Sequence, residues 1–167
     1  MMQPTHERSD QLSDFMRARP RLFGIAYRIL DSAAEAEDLV QDVWLRWQKT
    51  NHSEVLNAPA FLAVVTTRLA INRARSLSSR RESHAEPAEP IDTEAQPGLA
   101  AEREQELAHA FTLLLDKLSA RERSAFVLRE AFSYPYLQIA QLLGVSEVAC
   151  RQLVTRARKH IAEQRRN

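Results

Sequence analysis

The sequence predicts an all-α protein: two helical domains joined by a flexible acidic linker. Three observations point there. Glycine occurs only 3 times in 167 residues, while Ala, Leu, Glu, Arg and Gln are abundant, so strong helix formers dominate and turn material is scarce. Apolar residues recur every three or four positions through most of the chain. The long exception is SHAEPAEPIDTEAQPG, residues 83–98, where Pro87, Pro90 and Pro97 sit among small and acidic residues in linker composition. The expected domains are therefore 15–82 and 99–165, with 83–98 between them.

The first helix is expected over 20–30, PRLFGIAYRIL, because proline suits a first helical turn. Leu22, Phe23, Ala26, Ile29 and Leu30 form its apolar stripe. The second opens at Ser32, with Glu35 three residues on in capping-box spacing. Ala36, Leu39, Val40, Val43, Trp44 and Trp47 then follow with helical period. Both tryptophans read as core rather than as platforms for stacked bases. QKTNHSEVLNA is a polar break. A third helix is expected from about Pro59 to Arg81, with Phe61, Leu62, Val65, Leu69 and Ile71 inside.

After the linker, helix resumes near Leu99 and reaches about Leu118. Ser119 and Glu122 make another capping box, starting a helix to about Phe132. Two more helices follow, joined at Gly144. This pair has the marks of a helix-turn-helix: a small residue, Ala140, for a close crossing and Gly144 for a positive φ in the turn. Ile139, Leu143, Val145, Cys150 and Leu153 would face inward. Pro135 stands where a capping side chain is expected and offers no acceptor, so that helix start must be satisfied otherwise.

On this pattern the single cysteine, Cys150, is a small buried hydrophobe. One thiol forms no internal disulfide, and no Cys/His cluster has metal spacing, so no metal and no cofactor are expected. No Walker sequence and no paired catalytic constellation occurs, so no catalytic residues are assigned and an enzyme is not expected. The N-terminus is polar without a signal-peptide core, and the longest apolar run, AFLAVV, is far too short to span a membrane; the expected location is cytoplasmic.

Net charge is +1, but the charges lie in blocks. Residues 31–42 hold Asp31, Glu35, Glu37, Asp38 and Asp42 and no base. Residues 68–81 hold Arg68, Arg73, Arg75, Arg80 and Arg81 and no acid. Arg103 is the lone base of 82–106, and the C-terminal helix is basic again. Alternating blocks imply different partners for different segments.

The outward side of the last helix carries Ser146, Glu147, Arg151, Gln152, Thr155, Arg156 and Lys159. In a helix-turn-helix its N-terminal residues face base edges in a major groove. Arg151 suits guanine and Gln152 adenine, while Arg156, Arg158 and Lys159 suit phosphates. The first half adds an acidic helix face at Glu35, Asp38 and Asp42, fit to meet a basic protein element, and Arg68, Arg73 and Arg75 just past a polar loop, fit for a nucleic-acid backbone.

Three segments in order resemble the extracytoplasmic-function sigma factors, small initiation subunits of bacterial RNA polymerase. RLFGIAYRILDSAAEAEDLVQDVWLRW is similar to sigma region 2.1–2.2, and NAPAFLAVVTTRLAINRARS to region 2.3–2.4. LSARERSAFVLREAFSYPYLQIAQLLGVSEVACRQLVTRARKHI is similar to region 4. The likeness is nearest to the subgroup that often carries a SnoaL-like C-terminal domain. This sequence stops at AEQRRN, where that domain would begin, and its linker lacks the aromatic, proline-rich segment expected there. Either the chain is truncated or it is regulated without that domain.

The resemblance implies a sigma region 2 bundle at 15–82 and a region 4 helix-turn-helix at 99–165. It implies that Glu35, Asp38, Gln41 and Asp42 bind the β′ clamp helices of core polymerase, with the β flap a further contact. It implies that the loop from Gln48 to Asn57, including Asn51 and His52, handles the −10 element together with Arg68, Asn72 and Arg75. Many relatives carry Asn and Asp where Arg68 and Asn72 stand. Ser146, Glu147, Arg151, Gln152, Thr155, Arg156, Arg158 and Lys159 would read the −35 duplex. The linker would thread towards the polymerase cleft. Promoter melting then needs no ATPase, because binding to the open strand offsets an unstacking cost of a few kcal/mol per base. An anti-sigma factor or another regulator is the partner class left open. The rival expectation is a free-standing helix-turn-helix regulator that never joins polymerase.

Overall fold

A computed structural model describes residues 5–83, Glu106, Ala110 and 113–166. Among the described residues the helices are α1 (Thr5–Leu30), α2 (Ala33–Lys49), α3 (Ala58–Ser83), α4 (Ala120–Glu130), α5 (Tyr136–Leu143) and α6 (Glu147–Gln164), with a 3₁₀ turn at His52–Glu54. Glu106, Ala110 and residues 113–115 are also helical, and no strand occurs among the described residues. The all-α expectation is met. The linker expected at 83–98 lies, apart from Ser83, outside the described residues. The chain divides into two compact units, Met1–Asn72 and Arg73–Asn167, and the division falls inside α3.

In the first unit α1 packs against α2. α1 begins about four turns before Pro20, which lies inside the helix and exposed, not at its first turn as expected. An interior proline removes one backbone bond and costs ~3 kcal/mol. Phe15 and Ala18 are buried upstream on the same stripe as Leu22, Ile25, Ala26 and Ile29, and their burial offsets that cost. Ile25, absent from the expected stripe, is fully buried, while Phe23 is only half-buried and stacks on Tyr27 with ring centroids 5.9 Å apart.

The α2 expectation holds closely. Ser32 Oγ accepts the Glu35 N–H at 3.2 Å, and Ala36, Leu39, Val40, Val43 and Trp47 are all buried. Trp44 is half-buried and meets Phe15 at 4.9 Å. The Trp47 indole N–H donates to the Gln11 carbonyl at 3.0 Å, tying α2 to the part of α1 before Pro20. In α3, Leu62 and Ile71 are buried as expected, but Phe61, Val65 and Leu69 are only half-buried. Thr66 and Thr67 take their place inside; Thr66 Oγ1 donates to the Leu62 carbonyl at 2.7 Å, which satisfies its hydroxyl within the helix.

The second unit packs α4 and α5 on α6. Ser119 forms a complete capping box: its Oγ accepts the Glu122 N–H at 3.2 Å, and the Glu122 carboxylate accepts the Ser119 N–H at 3.4 Å. The same carboxylate lies 3.2 Å from His160 Nδ1 on α6, so one side chain caps α4 and links it to α6. Leu115, Leu128, Ile139, Leu143, Cys150 and Val154 fill the core. Leu153, expected inside, is half-buried; Val154 and Ala157 continue the core line from Cys150 at the four- and seven-residue spacing of one helix face.

Candidate nucleic-acid interface

The turn between α5 and α6 is built by its own backbone. Gly144 lies in the left-handed region at φ 66°, ψ 38°. The Val145 N–H donates to the Ala140 carbonyl at 3.0 Å and the Gly144 N–H to the Gln141 carbonyl at 3.4 Å, the two bonds of a Schellman stop. A side chain at 144 would meet nothing within 4 Å, so this glycine serves the backbone angle and not a close approach. α5 starts at Pro135 with no side-chain cap, as expected. Ser146 restarts the chain as helix, its Oγ accepting the Ala149 N–H at 3.1 Å.

Cys150 anchors this geometry. It is fully buried, and burial, then the nearby Glu147, pushes its thiol above the ordinary range. With Cys150, Val154 and Ala157 facing in, residues 148, 151, 152, 155 and 156 are set on the opposite face.

On that face Arg151, Gln152, Thr155, Arg156 and Lys159 are all exposed, together with Ser146 at its start. Arg151 is held in place: its Nη2 donates to Glu147 at 2.9 Å, and its guanidinium lies 4.4 Å from the centre of the Tyr136 ring. Arg129 lies over the same ring at 4.3 Å. A stacked, paired guanidinium keeps spare donors while losing little freedom on binding. Thr155 Oγ1 donates to the Arg151 carbonyl at 2.9 Å. Arg158 is engaged elsewhere, in an ion pair with Glu130 on α4. Val148, not among the residues expected on this face, is 67% exposed in the first turn of α6. Spacing alone marks it: it stands two residues before the buried Cys150, off the core line.

The residues assigned to the first unit are arranged differently. On α2, Asp38 and Gln41 are exposed and Glu35 and Asp42 half-buried, on the face away from Leu39, Val40 and Val43. The neighbouring Glu37 pairs with Arg19 of α1 at 2.8 Å. The loop after α2 is pinned at each end. Thr50 Oγ1 donates to the Arg46 carbonyl at 2.8 Å, and Asn57 Oδ1 accepts the Ala60 N–H at 3.0 Å at the start of α3. Asn51 Oδ1 accepts from both the N–H and the hydroxyl of Ser53, at 3.3 and 2.7 Å. His52 meets the Trp47 ring edge-on at 4.1 Å and 88°. Leu56, within the loop but not singled out there, is fully exposed near its end.

Beside this loop lies a hollow of about 290 Å³ lined by Val43, Arg46, Trp47, Lys49 and Phe61 among others. On α3, Arg68 and Asn72 are exposed one turn apart. Arg75 is half-buried in the second unit and its Nη2 donates to the Leu143 carbonyl at 2.9 Å. The loop thus brings Asn51 and His52 together as structural members, and α3 presents Arg68 and Asn72 as a solvent-facing pair.

Comparison with known proteins bears on both units. Residues 15–80 match the family model for sigma-70 region 2, and residues 108–161 that for sigma-70, region 4. The chain is similar to the ECF RNA polymerase sigma factor SigJ of Mycobacterium tuberculosis (strain ATCC 25618 / H37Rv), at 35% identity over 159 residues, covering 92% of this chain and 51% of SigJ. It is 30% identical over 154 residues to the ECF RNA polymerase sigma factor EcfG of Rhodopseudomonas palustris (strain TIE-1), covering 89% of this chain and 81% of EcfG. The crystal structure of SigJ matches with a TM-score of 0.64 and 31% identity, over 90% of this chain and 52% of that one. The chain spans about half the length of SigJ. Among the described residues no helix is long and apolar enough to cross a membrane.

Proposed function

The chain belongs to the extracytoplasmic-function sigma factors, and from that we propose that it directs bacterial RNA polymerase to specific promoters and starts transcription there. α6 reads the −35 duplex through Arg151 and Gln152, with Ser146, Glu147 and Thr155 beside them and Arg156 and Lys159 towards phosphates; Arg158 joins them only by giving up its pair with Glu130. The loop after α2, with Asn51 and His52, and the α3 side chains Arg68 and Asn72 receive the melted −10 strand; Arg75, bonded to the Leu143 carbonyl, must leave that bond to join them. Glu35, Asp38, Gln41 and Asp42 dock on the β′ clamp helices, and the second unit meets the β flap. The protein works as a stoichiometric subunit in the cytoplasm and catalyses no reaction of its own. An anti-sigma factor or other regulator would act by covering one of these surfaces.

One observation carries this reading: a region 2 match and a region 4 match stand in one chain, and the α6 readout face is exposed on a capped, core-anchored helix. A free-standing regulator needs no region 2, so the match over 15–80 favours the polymerase subunit.

Run-off transcription with purified core polymerase on genomic fragments tests the proposal and maps the promoter at once. Specific start sites are expected; a folded, uninhibited protein that yields none with its cognate core defeats the reading. Core capture tests the docking face. Asp38→Arg reverses a charge at the rim of an interface and should weaken capture by roughly tenfold. Unchanged capture removes α2 from the docking role.

A further inference from the structure

We propose that Val148 is a specificity-determining residue of α6 that reads the C5-methyl group of a thymine in the −35 duplex; the inference rests on the promoter reading above and deepens it. Val148 is 67% exposed in the first turn of α6. Its neighbours, more than its exposure, point to a role. Val148, Arg151, Gln152, Thr155 and Arg156 line one shallow hollow of about 460 Å³ along α6. Thr155 donates its hydroxyl proton to the Arg151 carbonyl and so has no donor left for a base. Val148 therefore shares a concave spot with two guanidiniums and a carboxamide.

Duplex DNA presents a partner of matching chemistry. In the major groove thymine alone offers a methyl group, set beside the donors and acceptors that Arg and Gln recognise. Residues in the first turn of a recognition helix are those that reach base edges. Val148 is the second residue of α6, one turn before Gln152. Arg156, two turns further along, supplies positive charge for the adjoining phosphate. The two arginines that line the hollow with Val148 bring positive charge beside its methyls, as a contact with a polyanion requires.

The test isolates the methyl group. A −35 duplex is selected with the full-length protein in holoenzyme, and each thymine is then replaced singly by uracil, which differs only in lacking that methyl. Wild-type holoenzyme should lose about fourfold in affinity at one position, the equivalent of ~0.8 kcal/mol for one methyl withdrawn from water. Val148→Ala should bind thymine and uracil duplexes alike at that position, and Val148→Thr, which keeps one methyl, should restore part of the preference. Val148 is exposed, so these variants should keep the wild-type unfolding temperature. Uracil tolerated at every thymine, a selected element without thymine, or an unchanged thymine preference in Val148→Ala overturns the inference while leaving promoter selection intact. If no duplex is selected at all, the promoter reading falls and this inference falls with it.

Discussion

The two units arrange the polar residues assigned to partners in opposite ways. In the second, the residues assigned to DNA gather on one face of one helix, and that face exists because Cys150, Val154 and Ala157 hold the other in the core. In the first, the residues assigned to DNA are distributed over a loop and a helix, and several are structural members themselves. Asn51 closes its own turn on Ser53, and His52 rests on Trp47. A contact carried by a helix face can lose one side chain and keep its shape. A contact carried by a pinned loop depends on the core beneath it.

The largest expected effect breaks the comparison at that dependence. Trp47 is 2% exposed, bonds Gln11 through its indole nitrogen and supports His52. Trp47→Ala should destabilise the first unit by ~3–5 kcal/mol. Open-complex formation, followed by permanganate reactivity of −10 thymines, should fail while the second unit keeps its −35 preference. Parallel loss of both would mean that the units do not separate as described.

Next comes Arg151→Ala, with a loss of ~1–3 kcal/mol confined to one −35 base pair in a substitution series. An equal loss on all duplexes would move Arg151 from reading bases to holding phosphate. Smaller still is Gly144→Ala, which places a Cβ in a left-handed backbone and should cost the second unit ~1–2 kcal/mol by chemical denaturation, with no change to the first. A neutral result would show that the turn relaxes away from its present angles. The smallest effect is Lys159→Ala. It should weaken all duplexes about equally and reduce the slope of log affinity against log salt by about one unit. A sequence-dependent loss would make Lys159 a base reader.

How much was readable from sequence follows the same divide. The starts of α2 and α4 were legible because a capping serine accepts the N–H three residues on, with Glu122 completing the box at α4. The left-handed Gly144 was legible because few residues accept that angle. The exposed face of α6 followed from helical period once Cys150 was set inside, and only its register slipped, with Val154 rather than Leu153 in the core. The first unit was harder. Pro20 is a sound local signal for a helix start, and it misled because Phe15 and Ala18 lie buried before it. Thr66 and Thr67 look polar in sequence, yet both are buried in α3, where Thr66 bonds back to Leu62. The pinning of Asn51 and His52 depends on Ser53 and Trp47, a pairing that no residue spacing announces.

The sequence by itself determined the all-α class, the helix-turn-helix and the outward set on α6, since these rest on helical period, capping and backbone angle, all local properties. Only the tertiary structure decided how far α1 extends, which threonines are buried, and which assigned side chains are already engaged within the chain. Those outcomes turn on burial against residues distant in sequence, and a short-range preference yields to them because a buried apolar side chain contributes ~1.5–3 kcal/mol, more than most local propensities.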